Sequence, residues 1–440
     1  MFPTPDVVRQ TLFNRINEMQ ANSWLYSVDS RDFTRNRKIS FSDTILSTIS
    51  MQRSSQKAEV LKYFDFSSDA PSHSALIQRR NKIPADSFAA LLYSFTNSFS
   101  LDLTHKGYDP IAVDGSDIQI PRNPKDPDTY RISDPYNKGF NMLHLNAAYH
   151  LLSHLYLDVI LQPINQINEY SALCDMIDHY AEYHPSRKPL FIADRGYSSL
   201  NVFAHAIEND AFFLIRAREV TSNKSRSLLS TIDLPDSDEY DFLFDRFLSN
   251  SYSNSIKSHP DIYKYVGNRP FDYLDSDKSK LYHISFRIVR FRLPNGQSET
   301  VFTNLPSEDF SISELRELYR MRWGIETSFR DIKYSAGLLF FHSRKKELVL
   351  QEIFAKLILY NYCELITQSI VVRKNTSRKY SYQINFSIAV AICIEYLKRF
   401  RKSRKYDVVT LISRELIPIR PNRSSPRYIR ARTASTFQYR

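Results

Sequence analysis

From Tyr319 to Lys333 the chain reads Tyr-Arg-Met-Arg-Trp-Gly-Ile-Glu-Thr-Ser-Phe-Arg-Asp-Ile-Lys, in which Tyr319, Arg322, Glu326 and Lys333 follow at intervals of three, four and seven residues. At about 100° per residue of helix, Arg322, Glu326 and Lys333 fall about 60°, 20° and 40° to one side of Tyr319, so the four share a narrow arc. Leu318, Ile325, Phe329 and Ile332 fall roughly 80° to 140° round in the same direction, which predicts a helix packed on a core with its polar row at the rim. One acid beside two permanent cations suits a phosphodiester next to a metal ion: the carboxylate holds the metal while Arg and Lys hold phosphate oxygens. The ordinary reading of such a segment is an amphipathic helix with a solvated charged face. The chemical reading requires more carboxylates elsewhere in the chain.

Two stand out. Asp114 lies within the strand-like run Ile-Ala-Val-Asp-Gly-Ser-Asp of residues 111–117, and Asp194 ends the apolar run of Leu-Phe-Ile-Ala-Asp-Arg-Gly-Tyr at 190–197. An apolar run stopping at an Asp-Arg-Gly turn places its carboxylate at the carboxyl edge of a sheet, where open α/β sheets bind ligands. Either Asp alone reads as a turn residue before glycine; with Glu326 they make a three-carboxylate set. Asp117 competes with Asp114, but three positions along a strand turn its side chain to the opposite face. His150 and His154 have helical ligand spacing yet lie in predicted strands, and read as structural. Trp323 reads as core packing.

The elements that must position these groups follow from periodicity. Helices are predicted at Val7–Met19, Asp43–Met51, Lys57–Phe64 and Asp86–Phe99. The run Gln-Arg-Arg-Asn-Lys-Ile at 78–83 reads as a solvated helix end, or as a DNA contact through Arg79, Arg80 and Lys82. From Asp109 the pattern changes to strands at Ile111–Ile120, Met142–Leu152 and Tyr156–Leu161. A helix at Glu169–Tyr183, a strand at Leu190–Ala193, a helix at Leu200–Glu208 and a strand at Ala211–Ile215 complete a mixed α/β sheet. A polar stretch from Thr221 to Pro260 precedes a hairpin of Leu281–Leu293 and Glu299–Asn304 round a Pro-Asn-Gly turn. A slip of alternation at Ile288-Val289 predicts a bulge, and Arg287, Arg290 and Arg292 are possible phosphate contacts. Glu347–Thr367 and Ser387–Phe400 read as apolar helices that either close the core or pair with another subunit. The organisation expected is a helical DNA-binding region at 1–105, a catalytic core at 106–216 and 306–370, a β-rich insertion at 217–305, and a basic helical C-terminal region and tail at 371–440.

With 440 residues, 42% of them hydrophobic, the chain has material for sizeable cores. Its net charge of +11 is less than the +14 of residues 371–440 alone, where 17 Lys and Arg face three acids, so the first 370 residues sum to −3. Basicity concentrated in one segment and interleaved with Tyr and Phe points to a polyanion, most often nucleic acid; a solubilising tail or a contact with anionic lipid is the duller alternative. Cys174, Cys363 and Cys393 form no paired motif, and no basic leader or long apolar run marks export or a membrane span, so a cytoplasmic protein is expected. Among only eight glycines there is no phosphate-binding loop.

Asp114-Gly-Ser, Asp194-Arg-Gly-Tyr and Tyr319-x2-Arg322-x3-Glu326-x6-Lys333 together resemble the signatures of bacterial insertion-sequence DDE transposases, in the class named for Tyr, Arg, Glu and Lys. The resemblance runs from about residue 70 to the basic tail. It implies a ribonuclease H-like core interrupted by a β-strand insertion, with helical regions at either end. By the same resemblance Asp114, Asp194 and Glu326 hold two Mg²⁺ ions, for which Mn²⁺ can substitute. Tyr319, Arg322 and Lys333 hold phosphates near the element's end, and the partner is double-stranded DNA, both the element's terminal repeats and the target. Water and then the freed 3′-hydroxyl act as nucleophiles, in a homodimer on two DNA ends in the bacterial nucleoid. The competing readings are a catalytically silent DNA-binding regulator derived from such an enzyme, and a nuclease of the same fold that cuts without joining. A membrane-surface protein is more distant, for want of a strong basic amphipathic helix.

Overall fold

The computed structural model describes residues 2–99, 102–132, 138–219, 227–267, 270–274, 280–293, 296–372, 380–399 and 406–420. The N-terminal region forms five helices, α1 (Pro5–Ala21), α2 (Phe41–Ser50), α3 (Gln56–Tyr63), α4 (His73–Arg80) and α5 (Ala85–Thr96). Side-chain oxygens of Thr4, Ser40, Ser55 and Ser72 cap the first four, and Pro84 precedes the fifth.

The sheet begins with β1 (Asp109–Ile120), the short β2 (Tyr130–Arg131), β3 (Phe140–His150) and β4 (Leu155–Pro163). Helix α6 (Glu169–Tyr183), β5 (Pro189–Ala193), α7 (Leu200–Glu208) and β6 (Phe212–Arg216) follow. β3 lies antiparallel between β1 and β4, while β5 runs parallel to β1 and β6 parallel to β5. The resulting order, β4-β3-β1-β5-β6 with three antiparallel strands and then two parallel to the first, is the ribonuclease H-like arrangement.

The next strands are β7 (Tyr240–Ser249), β8 (Tyr263–Tyr265), β9 (Leu281–Arg292) and β10 (Ser298–Thr303), with α8 (Asn254–Ser258) between β7 and β8. They do not form a separate sheet. β10 pairs antiparallel with β6, and β9, β7 and β8 follow outward, so one ten-stranded sheet runs through both parts. β7 arises in the stretch read as merely polar. β9 pairs with β7 and β10 without any register shift, so no bulge occurs at Ile288-Val289. The phase slips there because Phe286, Arg287, Ile288 and Val289 are all buried, covered on both faces. Arg287 is no DNA contact: it pairs with Asp241 at 2.5 Å and donates to the Leu305 and Phe310 carbonyls at 2.8 and 3.1 Å. Pro294 and Asn295 of the predicted turn lie outside the described residues.

The chain then forms α9 (Ile312–Met321), α10 (Trp323–Tyr334), α11 (Lys346–Gln368), β11 (Tyr382–Ile384), α12 (Phe386–Lys398), α13 (Val408–Arg414) and β12 (Leu416–Pro418). The single helix expected from Tyr319 to Lys333 is two helices meeting at Arg322. There the Arg322 and Ile325 amides donate to carbonyls three residues back, at 3.1 Å each, which tightens the turn. α11 is buried almost throughout and packs on α2, α5, α12 and β4, so it closes the core. It also anchors the N-terminal helices. Arg80, wholly buried, donates to Glu352 at 2.9 Å, Gln351 at 3.1 Å and the Leu348 carbonyl at 2.8 Å, and Lys356 donates to the Met51 carbonyl. The basic run at 78–83 therefore contributes Arg80 to structure and not to a surface. No helix among the described residues is long and apolar enough to cross a membrane.

Side chains alternate along the central strands and sort into two layers. Ile111 and Val113 of β1 join Phe191 and Ala193 of β5 against α6 and α7, through Leu173, Ile177 and Phe203. Ala112, Leu190 and Ile192 face the other way, into the core shared by α9, α10 and α11, with Leu315, Ile325 and Ile358.

Candidate active site

That alternation places the acids. Val113 is aligned with Ala193 on the adjacent parallel strand, so Asp114 and Asp194 follow at equivalent positions, and both belong to the α10 face. Each is fixed by the backbone just beyond it. The Gly115 amide donates to Asp114 Oδ1 at 2.8 Å and the Gly196 amide to Asp194 Oδ1 at 2.6 Å, leaving the second oxygen of each directed elsewhere.

α10 lies over β1 and brings Glu326 to the same edge. Arg322, at the helix junction and only 6% exposed, stands between two acids: Nη2 is 3.1 Å from Glu326 Oε1 and Nη1 is 3.7 Å from Asp114 Oδ2. Burial pushes Asp114 up to about 6, against the pull of Arg322 and the Gly115 amide, and the charges of Asp194 and Glu326 push the same way. Asp114 thus feels both other carboxylates.

Lys333 reaches β1 farther along, donating to Ser116 Oγ at 2.7 Å and the Asp117 carbonyl at 2.9 Å. Tyr319 is buried with its ring 5.8 Å from the Arg322 guanidinium, and burial raises its phenol to about 12. Its hydroxyl and Arg322 Nε have no hydrogen-bond partner among the described residues. Trp323, expected in the core, is 56% exposed and sits 5.3 Å from the same guanidinium. It is the first residue of α10. His150 bonds to Ser153 at 2.9 Å, and His154 lies 3.8 Å from Glu364, in a turn instead of a strand.

One group beside the acids was not foreseen. On the opposite face of the sheet, His144 of β3 is paired in register with Asp117, its Nδ1 2.7 Å from Asp117 Oδ1 and its Nε2 3.2 Å from Glu169 Oε1. Burial pulls His144 down, yet the hydrogen bonds to both carboxylates carry it up to about 9. Strand register pairs His144 with Asp117, and the start of α6 adds Glu169. Asp117, weighed as an alternative to Asp114, gives its carboxylate to this histidine.

Among the described residues no three carboxylate, imidazole or thiol side chains are closed round a point that could hold an ion. In donor chemistry the set nevertheless fits a hard divalent cation: three carboxylates, of which Asp114 has its pKa raised by burial and by the charges of the other two, and a guanidinium standing between two of them.

A ribonuclease H-like sheet with one acid midway along β1, where its parallel pairing with β5 ends, another just past the end of β5, and a third on the helix above them defines a class of protein. The chain belongs to the transposase DDE domain family, whose model matches residues 105–362, a span that contains all six residues singled out at this edge. No curated protein matches it. Among solved structures, the cryo-EM structure of a piggyBac transposase synaptic complex with hairpin DNA is similar over 96% of this chain and 87% of that one, at 9% identity and a TM-score of 0.45. That likeness is too loose to bear on individual side chains.

Proposed function

We propose that the chain is a DNA transposase of the insertion-sequence class marked by Tyr319, Arg322, Glu326 and Lys333, cleaving DNA at the ends of its element and joining the freed 3′-hydroxyls to target DNA. The observation that carries this is the gathering of Asp114 and Asp194, level with the carboxyl end of β5, and of Glu326 on α10 over the same face of the sheet, with Arg322 between two of them. These acids would hold two Mg²⁺ ions, or Mn²⁺ in their place. There the ions would supply activation of the attacking oxygen and charge neutralisation at the leaving one in an in-line displacement at phosphorus.

The chain's own contribution is positioning. The amides of Gly115 and Gly196 lock one oxygen of each aspartate, so that the ligands lose little freedom on binding. Arg322 is charge-matched to the acids in the absence of DNA and presents a forked donor to a phosphate once they are otherwise neutralised. Lys333 fixes the path of the strand past Ser116, and Tyr319 supports the Arg322 guanidinium from below. A groove of about 670 Å³ in the N-terminal region is lined by Arg37, Lys38, Arg79 and Lys82, a basic surface for the backbone of the element's end in which Lys38 and Lys82 pair with Asp69 and Asp32 in the absence of DNA. Two copies on two ends would form the working complex.

The test is cleavage of a duplex carrying the ends of the encoding element, in Mg²⁺ and in Mn²⁺. Wild type should cut, while Asp114→Asn, Asp194→Ala and Glu326→Ala should bind the ends as tightly and leave them intact. Cleavage retained in any of the three removes that residue from the active site.

A further inference from the structure

The trio of His144, Asp117 and Glu169 behind the sheet gains a role once Asp114 and Asp194 are metal ligands, and the inference drawn here rests on that reading. Glu169 is the first residue of α6, and acids there are commonplace complements to a helix dipole. Its surroundings are more particular. A Cβ added to Gly115 would meet Glu169 Oε1 at 2.8 Å, and one added to Gly196 would meet Oε2 at 3.4 Å. The carboxylate therefore lies against the backbone beside both aspartates, touching the strand that carries Asp114 and the turn that carries Asp194. It reaches them because both neighbours are glycines. The His144 ring also covers Gly115, so a methyl group there would collide with it.

Tyr197 reports the same convergence. It is 1% exposed, and its hydroxyl has no partner among the described residues. Burial raises its pKa first, and the charges of Glu169, Asp114 and Asp194 then add to that in the same direction. All three carboxylates thus act on one buried hydroxyl from two sides of the sheet.

We infer that Glu169, clamped by His144 to Asp117, is a positioning residue that buttresses the backbones of Asp114 and Asp194 from behind and thereby sets the separation at which they receive a divalent ion. It touches neither substrate nor metal. Supporting groups of this kind contribute about 10- to 100-fold to metal affinity in sites where they have been removed.

The experiment is calorimetric titration of the full-length protein, free of DNA, with Mn²⁺, together with Mg²⁺ titration of end cleavage, end-DNA binding and thermal unfolding. Glu169→Gln keeps the volume and removes the charge; Glu169→Ala removes both. Each should raise the Mn²⁺ dissociation constant and the Mg²⁺ concentration for half-maximal cleavage by about 10-fold or more. End binding should stay within about twofold, and excess metal should restore cleavage. His144→Gln should act in the same direction, and its combination with Glu169→Ala should be no worse than Glu169→Ala alone. Metal titrations that superimpose on wild type overturn the inference, as does parallel loss of metal response, end binding and thermal stability in both Glu169 variants. Asp194→Ala serves as the control: if it binds Mn²⁺ like wild type, the metal site itself is misassigned, a different failure.

Discussion

His144 is a side chain beside the acids whose ionisation the fold holds well above its ordinary range. Its carboxylate partners, Asp117 on β1 and Glu169 on α6, keep it protonated up to about pH 9 against an ordinary value of 6.5. Because the folded state favours the proton, the stabilisation is whole below the ordinary value and is lost as pH rises through about 9. Urea unfolding of wild type and His144→Gln at pH 6, 7.5 and 9.5 should therefore show a gap that closes by on the order of 2 kcal/mol across the series. A gap independent of pH contradicts the clamp. Gly115→Ala should destabilise and inactivate together, because its methyl group must displace the His144 ring from Glu169. At this scale the sequence was legible where an apolar run stops at a charge, as at Asp194. It was not legible where partners meet across strands: nothing next to Glu169 in the chain announces His144, and only the register of β1 with β3 supplies Asp117. Trp323 was misread because a large aromatic residue argues for burial only on average, and an exposed one is ordinary.

Elements were easier to read than their joints. The ranges Glu169–Tyr183 and Leu200–Glu208 follow from helical spacing alone and match α6 and α7. The break at Arg322 escapes such a reading, since spacing records which residues share a face and not which amide bonds three or four residues back. The buried ions of α4 and α11 escape it as well: Arg80 looks like its neighbour Arg79 in sequence, yet it is the pin between the N-terminal helices and α11. Arg80→Ala should cost about 3–5 kcal/mol of unfolding free energy by stranding Glu352 in the core, whereas Arg79→Ala should cost under about 1 kcal/mol. Equal effects in a denaturant series would mean that the α4–α11 network does not hold the region in place.

For the whole molecule, charge and sheet belong to different stretches of the sequence. The central strands β1 and β5 of the ten-stranded sheet position Asp114 and Asp194, while the excess of cations lies in residues 371–440 and mostly outside the described residues. Arg423, Arg427, Arg430, Arg432 and Arg440 stand without an acid among them in the final 20 residues. Removing residues 421–440 should weaken binding of end and non-specific DNA alike, and lower the slope of log K against log salt by about 0.9 for each phosphate the tail neutralises. An unchanged slope would exclude the tail from DNA binding. The continuity of the sheet through β10 could not be read from a sequence in which the insertion differs so clearly in character, because strand pairing between β6 and β10 is a long-range choice.

Cutting and joining at one active site is the central claim. Its most direct test supplies wild-type protein and Mg²⁺ with labelled, pre-cleaved element ends and a plasmid target, with either a 3′-hydroxyl or a 3′-deoxy terminus on the transferred strand. Joining of the 3′-hydroxyl ends alone, abolished in Asp114→Asn, Asp194→Ala and Glu326→Ala, is the predicted result. Ends that are bound but never joined, or joining that survives loss of any of these acids, would contradict it.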